Sequence, residues 1–534
     1  MPARRASHNP TPHMAPRRRL RSKQQDGSQE GVIEFLSDPA SYPGRVSSVD
    51  TITTHASIVF LAGELAYKLK RAVRYSYLDY STPDLRRHAC EAELALNSRT
   101  AATLYLSVRP IRQTTGGLSF DGPGEPEDWV VVMRRFPQDA LFSHLADHGM
   151  LTDHLVFDLA DRIATFHATA SIEPGHGGTG GISAVIRIND ENLRRSPPLG
   201  ASGQDMDWLR DASASALQTH ATLLESRRTA GRVRRCHGDL HLRNICLVDG
   251  QPTLFDCIEF SDLIACIDVL YDLAFLLMDL RHRSLDQLCS RVFNRYIDLS
   301  GDDEGVPALP LFMSLRAAVR AHVTAAAAKS SEIADSRHQQ LAEAKSYLDL
   351  ATELLQPQRP RLIAIGGLSG TGKSTIAAAI AGNLGVGPGA RILRSDVLRK
   401  QVFGKAPEQR LPGTAYSMAV NKKVYTTLET RAAALLSAGH SVIIDAVSAK
   451  PEERAAMADL ASKTGAAFSG VWLEAPAATL LARIESRSKD ASDATKAVLS
   501  RQLAYDLGEI GWVRLDVNRT TDEVVKDVWR MLRA

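Results

Sequence analysis

The stretch Leu362-Ile-Ala-Ile-Gly-Gly-Leu-Ser-Gly-Thr-Gly-Lys-Ser-Thr375 decides how this chain is read. The apolar run Leu362 to Ile365 predicts a buried parallel strand. The loop Gly367-Leu368-Ser369-Gly370-Thr371-Gly372-Lys373-Ser374 follows, and Ile376, Ile380 and Leu384 then recur at helical spacing. Strand, GxxxxGK(S/T) loop and helix in this order form a phosphate-gripping P-loop. The glycines let the backbone curl until its N–H groups face one centre, and the helix N-terminus adds to their pull on a polyphosphate. Lys373 is expected to reach the β- and γ-phosphates and Ser374 to offer its hydroxyl to Mg²⁺. The whole run Gly367 to Thr375 is the expected ATP contact.

Outward toward the C-terminus, strands are predicted at Arg391–Arg394, Ser441–Ile444, Phe468–Leu473 and Trp512–Asp516, alternating with helical sequence. That alternation predicts a doubly wound parallel sheet over residues 361–534. Ligands gather where such strands end. Asp396 after the second strand is expected either to take a proton from an acceptor hydroxyl, with Arg399 binding an acidic group, or to open a helix as its N-cap, as Ser395 also could. Asp445 ends Val442-Ile-Ile-Asp445, either as a magnesium carboxylate or as a plain turn residue. Arg483 and Arg487, four apart, form either a lid over the transferring phosphoryl group or a solvated charged face. Asp516-Val-Asn518 is expected to line the adenine.

Toward the N-terminus, Gln356-Pro-Gln-Arg-Pro360 reads as a linker. Residues 1–30 read as a disordered basic tail and 31–355 as a second domain. Strands are predicted at Ile52–Leu61 and Glu64–Lys70. Leu65-Ala-Tyr-Lys68-Leu-Lys70 alternates, placing Lys68 and Lys70 on one face. A helix at 85–105 carries Glu93, and 172–205 reads as a loop or insertion because it is rich in Gly, Pro and Ser. The chain then presents His237-Gly-Asp239-Leu-His241-Leu-Arg-Asn244, a hairpin turning at Asp249-Gly250, and Asp256 at the end of its second strand. The Asp-to-Asn spacing matches the catalytic loop of a protein kinase, with Asp239 accepting a hydroxyl proton and Asn244 and Asp256 holding Mg²⁺. Lys68 or Lys70 would pair with Glu93 beside the phosphates, and Lys68 fits the position better. Thr53-Thr-His55-Ala-Ser57 stands where a glycine-rich loop is usual, with Ser57 as the expected phosphate cover. His237 and His241 read as scaffold residues.

At 534 residues the chain needs two or three cores. Its 44% hydrophobic and 23% charged content is that of a soluble globular protein, and its net charge of +3 is small. The basic excess is local to Arg4, Arg5, Arg17, Arg18, Arg19, Arg21 and Lys23, so a nucleic-acid partner is implied nowhere outside that tail. The most apolar stretch, Leu263 to Leu280, is broken by Asp268, Asp272 and Asp279 and reads as a core helix, with no membrane partner implied. Six cysteines without metal-like spacing read as reduced thiols of a cytoplasmic protein. Nothing sets an oligomeric state.

His237-Gly-Asp-Leu-His241-x-x-Asn244, with Phe255-Asp256, Asp268, Asp272-Leu-Ala274 and Leu159-Ala…Ile163-Ala-Thr-Phe166-His167, resembles the aminoglycoside phosphotransferase family over residues 50–355. The resemblance implies a protein-kinase-like fold in which Asp272 braces the catalytic loop. Residues 360–534 resemble the small-molecule kinase branch of P-loop proteins. The two together resemble a bacterial family of bifunctional aminoglycoside phosphotransferase/ATP-binding proteins. The fold expected is thus α/β and α+β in two domains: a protein-kinase-like half and a P-loop NTPase half with a doubly wound parallel sheet. The function expected is transfer of the γ-phosphoryl group of ATP, with Mg²⁺, to a small hydroxylated acceptor. Three readings stay open: two working kinases, a P-loop kinase regulated by a non-catalytic first half, or an ATP-dependent switch.

Overall fold

The computed structural model describes residues 29–533, apart from 76–77, 198, 200–201, 330, 332 and 487–491. Arg487 and residues 1–28 of the basic tail lie outside the described residues. The expected tail boundary at residue 30 moves, because helix α1 (Glu30–Ser37) already begins there. Gln29 ties it down by donating to the Asp128 carboxylate at 2.7 Å and accepting from the Ala72 N–H at 2.7 Å.

Strands β1 (Val49–Thr53), β2 (Ser57–Ala62), β3 (Leu65–Lys70), β4 (Tyr105–Thr114), β5 (Gly117–Ser119) and β6 (Pro126–Arg134) form an antiparallel sheet in the order β1-β2-β3-β6-β4-β5. The period-two alternation of β3 sends its side chains to opposite faces. Tyr67 and Leu69 bury against Val32 and Leu36 of α1. Lys68 and Lys70 face the other way, toward helix α2 (Pro83–Ala101). The single strand expected over Ile52–Leu61 is two strands. The turn between them is closed by Thr54, whose hydroxyl accepts from the Ser57 N–H and donates to the Ser57 carbonyl, both at 3.0 Å. Ser57 itself is buried, which removes it as a phosphate cover.

The larger, helical part of this half contains α3 (Asp153–Thr169), α4 (Gly178–Arg195), α5 (Gly203–Thr229), α6 (Val269–His282), α7 (Asp286–Ser300), α8 (Leu309–Lys329) and α9 (Ala334–Glu353). The loop expected over 172–205 is overturned by α4. Ile182, Ile186, Asn189 and Leu193 are buried at helical spacing there, and that periodicity outweighs the local glycines. Between α5 and α6 lies the hairpin β7 (Ile245–Val248) and β8 (Gln251–Leu254), whose turn residues Asp249 and Gly250 both take positive φ, as a two-residue turn matched to strand twist requires.

After the irregular stretch 356–360 comes β9 (Arg361–Gly366), then α10 (Lys373–Ala381), β10 (Arg391–Arg394), α11 (Ser395–Val402), α12 (Met418–Ser437), β11 (Val442–Asp445), α13 (Pro451–Thr464), β12 (Ala467–Glu474), α14 (Ala477–Glu485), β13 (Val513–Asp516) and α15 (Thr521–Arg533). The five strands are parallel, in the order β10-β11-β9-β12-β13. Leu362 and Ala364 share one core with α12 and α13, and Ile363 and Ile365 share another with α10 and α15, so β9 is apolar on both faces. The first of those cores is continuous with the buried residues of α6 to α9.

All six cysteines are free and buried. No described helix is long and apolar enough to cross a membrane.

Candidate active sites

The first site lies between the antiparallel sheet and the helical part. Lys68 Nζ is 2.8 Å from Glu93 and 2.5 Å from Asp256. Lys70, which is 2% exposed, pairs with Glu93 and with Glu259. Glu93 therefore bridges two ammonium groups. Burial works to raise its carboxyl, but Lys68 and then Lys70 outweigh it and hold the group ionised. The structure thus separates two lysines that alternation alone left equivalent: Lys68 reaches Asp256, and Lys70 is held by Glu93 and Glu259.

Asp239 and Asn244 meet as expected, with the Asn244 amide nitrogen donating to the Asp239 carboxylate at 2.8 Å. The Phe255 N–H donates to the Asn244 carbonyl at 3.0 Å, which sets Asp256 beside Asn244. Asp256 sits at φ +63°, and this left-handed conformation is held by its neighbours. Its own N–H donates to the Tyr105 hydroxyl at 3.1 Å, and the next N–H, of Cys257, donates to the Asn97 side chain at 2.9 Å. Asn244 and Asp256 offer oxygen atoms, the donors that Mg²⁺ prefers, and with its nitrogen turned to Asp239 the amide of Asn244 has its oxygen left for a metal.

Beneath the loop, the fully buried Asp272 accepts from the N–H groups of His237 at 3.0 Å and Gly238 at 2.9 Å, and pairs with His167 at 3.1 Å. Gly238 is required there: its φ is +84°, and a Cβ would come within 2.9 Å of Ile258. His237 is a scaffold residue, its ring against the Phe255 carbonyl at 2.9 Å. Burial works to lower its pKa, but Cys257, Asp272 and Asp239 carry it up to about 9. His241 is a scaffold residue too, its Nδ1 accepting from the Arg243 N–H at 3.2 Å and its ring against Phe275, while its Nε2 lies 3.3 Å from the Asp239 carboxylate.

The second site opens into a cavity of about 1350 Å³. Of the expected loop contacts, Ser369, Gly370, Gly372, Lys373 and Ser374 line it. The remainder are corrected. Gly367 uses its N–H on the Val447 carbonyl at 3.1 Å, and its φ of +137° with a Cβ position 2.5 Å from the Leu473 carbonyl admits no side chain. Leu368 packs with Leu480 and Leu499, Thr371 is buried and donates to the Leu368 carbonyl at 2.8 Å, and Thr375 is exposed on the helix. Even Ser369 spends its N–H on the Gln502 side chain, at 2.8 Å. The Thr371 N–H is also spent, on the Leu368 carbonyl at 3.3 Å, so the cradle narrows to Gly370, Gly372, Lys373 and Ser374, where a helix N-terminus supplies the donors. Lys373 Nζ lies across the loop, donating to the carbonyls of Gly367 at 2.9 Å and Leu368 at 3.1 Å.

The Ser374 hydroxyl donates to Asp445 at 2.6 Å, and Arg394 lies 3.4 Å from the same carboxylate. A hydroxyl and a carboxylate so placed fit a hard, oxygen-seeking cation. Asp396 lies in the first turn of α11 and lines the cavity, while the N-cap position belongs to Arg394. Burial first, and the Asp445 charge second, raise the Asp396 pKa. Arg399 is buried, donates to the Ala415 carbonyl at 2.8 Å and lies over the Tyr416 ring. Its Nε has no hydrogen-bond partner among the described residues and the side chain lines the cavity. Arg483 is not a phosphoryl lid: it donates to the Val517 carbonyl at 2.7 Å and does not line the cavity.

Residues 85–309 match the family model of the phosphotransferase enzyme family, and residues 362–506 match a model described as an AAA domain. The uncharacterized protein Rv2004c of Mycobacterium tuberculosis (strain ATCC 25618 / H37Rv) is 30% identical over 497 residues, covering 91% of this chain and 96% of that protein. The chain belongs to the family that fuses an aminoglycoside-phosphotransferase-like kinase domain to a P-loop kinase-like domain. Among solved structures, the Mycobacterium tuberculosis APS kinase CysC in complex with AMPPNP and APS is 24% identical over 33% of this chain and 100% of its own, with a TM-score of 0.27. A choline/ethanolamine kinase family protein from Mesorhizobium loti is 14% identical over 60% of this chain and 95% of its own, with a TM-score of 0.37. Both domains of this fused family are kinase-like, which makes the chain a phosphotransferase for small molecules.

Several residues of the fused kinase's first site carry no motif. Glu259, Tyr80, Tyr105 and Asp279 come to it only through the fold. Tyr80 donates to Glu259 at 2.6 Å, and Asp279 accepts from the Leu242 N–H at 2.9 Å. Their signal in the sequence is no more than a polar residue inside an apolar run, as Asp279 is in α6.

Proposed function

We propose that the chain transfers the γ-phosphoryl group of ATP to hydroxyl groups of small molecules at two separate sites. The observation that carries this reading is that both halves assemble the same three elements. Each brings together an aspartate, a lysine and oxygen atoms of the kind Mg²⁺ prefers, which supports reading them as proton acceptor, phosphate ligand and metal ligands. A purely binding half needs no proton acceptor.

In the first half Lys68, oriented by Glu93, binds phosphate oxygens. Asp239 takes the acceptor's hydroxyl proton, and Asn244 holds that carboxylate in place through its amide. Asn244 and Asp256 would hold the metal there, and Ser374 and Asp445 in the second half. When bound, Mg²⁺ neutralises phosphate charge. In the second half the amides of Gly370, Gly372, Lys373 and Ser374 and the Lys373 ammonium bind the triphosphate, and Asp396 takes the proton. A buried guanidinium with an unused Nε–H favours an anion, so Arg399 favours an acceptor that carries a carboxylate, phosphate or sulfate beside its hydroxyl.

The second reading, a P-loop kinase regulated by a non-catalytic first half, draws on one observation. The β1–β2 turn pinned by Thr54 is too short to cover phosphates as a glycine-rich loop does.

The test is phosphate transfer by wild type, Asp239→Asn and Lys373→Ala to a panel of sugars, hydroxy acids, amino alcohols, aminoglycosides and 5′-hydroxyl oligonucleotides. Two sites require that each variant lose a different set of products. Loss with Lys373→Ala alone supports the regulated kinase, and tight ATP binding with no product from wild type overturns transfer altogether.

A further inference from the structure

In the sheet order, β10 is an edge strand, so one row of its backbone groups lacks a partner strand. A side chain of the first half takes that place. The Asn294 amide nitrogen donates to the Ala390 carbonyl at 3.2 Å, and its oxygen accepts from the Ile392 N–H at 2.8 Å. A carboxamide carries the same donor and acceptor as a peptide group, so one buried asparagine pairs the free edge as a neighbouring strand would. Its oxygen also accepts from Arg391 at 3.1 Å.

The residue between those two contacts, Arg391, is 1% exposed. Its guanidinium is held by Asp298 and Asp303, each at 2.7 Å. Asp303 also takes Arg431 of α12 at 2.8 Å. Asn294 and Asp298 stand four apart on α7, hence on one face. Tyr296 lies between them and points roughly 200° away from Asn294 by helix geometry. Its hydroxyl pairs with His167 at 2.9 Å, and His167 pairs with Asp272 under the first catalytic loop. One helix thus grips the brace of one site with one face and the edge strand of the other site with the opposite face.

Strand β10 runs from Arg391 to Arg394, and Arg394 lies against Asp445, with Asp396 next but one. We infer that Asn294, with Asp298 and Asp303, is a positioning device for the proton acceptor of the P-loop site, so that the phosphotransferase-like half completes the second active site. The inference rests on the reading of Asp396 as that acceptor. The phosphate cradle of Gly370–Ser374 belongs to β9 and α10 and does not hang on this strand.

The experiment uses the full chain carrying Asp239→Asn, so that only the P-loop site turns over, with MgATP hydrolysis as the rate probe. Asn294→Leu keeps the volume and removes the pairing. It should lower kcat by about 10²-fold, as small misplacements of a reacting group do, while the KM for ATP stays within about twofold. Asn294→Asp, which keeps the acceptor for Ile392 and Arg391, should restore most of the rate. Asn189→Leu is the control, because Asn189 is equally buried and donates to the Leu315 carbonyl at 3.0 Å within the first half. It should lower the melting temperature without changing kcat. Amide exchange at Ile392 should quicken in Asn294→Leu and not in Asn189→Leu. Unchanged exchange at Ile392, or equal kcat losses in the two leucine variants, overturns the inference. If wild type hydrolyses no ATP at this site, the kinase reading fails, and exchange at Ile392 still decides the pairing. Should Asn294→Leu not fold, Asp298→Asn, which removes one charge facing Arg391, carries the same kcat-against-KM test.

Discussion

Asp239 and Asp396, the two aspartates we propose as proton acceptors, lie in opposite surroundings. Burial works to raise Asp239, but His241, then His237 and Arg320, outweigh it and hold its carboxyl below the usual range. The cations near Asp396 do not outweigh its burial. Burial and then Asp445 raise it, and the Ser492 hydroxyl, Arg394 and Lys373 only moderate the rise. A depressed carboxyl is ionised at every working pH but is a weak base, whereas a raised one accepts a proton more readily and loses its ionised form sooner as pH falls. On the proposed function, one chain carries both solutions to hydroxyl activation. The neighbours decide which is used, since the residue type is the same.

The comparison breaks most visibly by removing the bases. Asp239→Asn and Asp396→Asn should each lower transfer in their own half by about 10²–10⁴-fold and leave the other half unchanged, measured as product formed with each half's acceptor. A loss in both halves from one variant would mean one site.

A smaller effect is expected on stability. Asp272→Ala leaves the buried N–H groups of His237 and Gly238 without their acceptor, and should cost about 3 kcal/mol, read from the shift of the urea midpoint. In the P-loop half the same role is divided: the Val447 carbonyl accepts from the Gly367 N–H, the Gln502 side chain from Ser369 and the Leu368 carbonyl from Thr371.

The pH profiles sharpen the contrast in sign. In the Lys373→Ala chain only the Asp239 site works, and the acid limb of kcat/KM should lie below the ordinary aspartate value. In the Asp239→Asn chain only the Asp396 site works, and its acid limb should lie above that value. Activity of the second site is then the first to be lost as pH falls, and coincident limbs would erase the distinction.

The smallest effect concerns the hairpin that sets Asp256 beside Asn244. Gly250 has φ +75° with no atom near its missing side chain, so Gly250→Ala should cost about 1 kcal/mol from backbone strain alone. Thermal melting measures it, and the P-loop half should not respond.

Much of this was legible in residue order. The P-loop reads from one contiguous stretch because a phosphate cradle is local: consecutive amides make it. The hairpin and its turn read for the same reason. Residues 172–205 were misread because their composition spoke for a loop, while Ile182, Ile186 and Leu193 kept a helical period across the glycines. Ser57 failed as a phosphate cover because the Thr54 hydroxyl closes the turn and the following strand buries it. Lys68 and Lys70 were inseparable by alternation, and Glu259 decided between them from 189 positions away.

By itself, the order of residues determined the two kinase-like halves, the phosphate loop, and the spacing of Asp239, Asn244 and Asp256. These depend on short-range geometry, which a linear pattern encodes. Only the tertiary structure decided which lysine reaches Asp256, which loop amides are already spent, and that Asn294 of one half pairs the edge strand of the other. Those outcomes turn on burial and on partners from distant segments, and no spacing along the chain records a contact that the packed core creates.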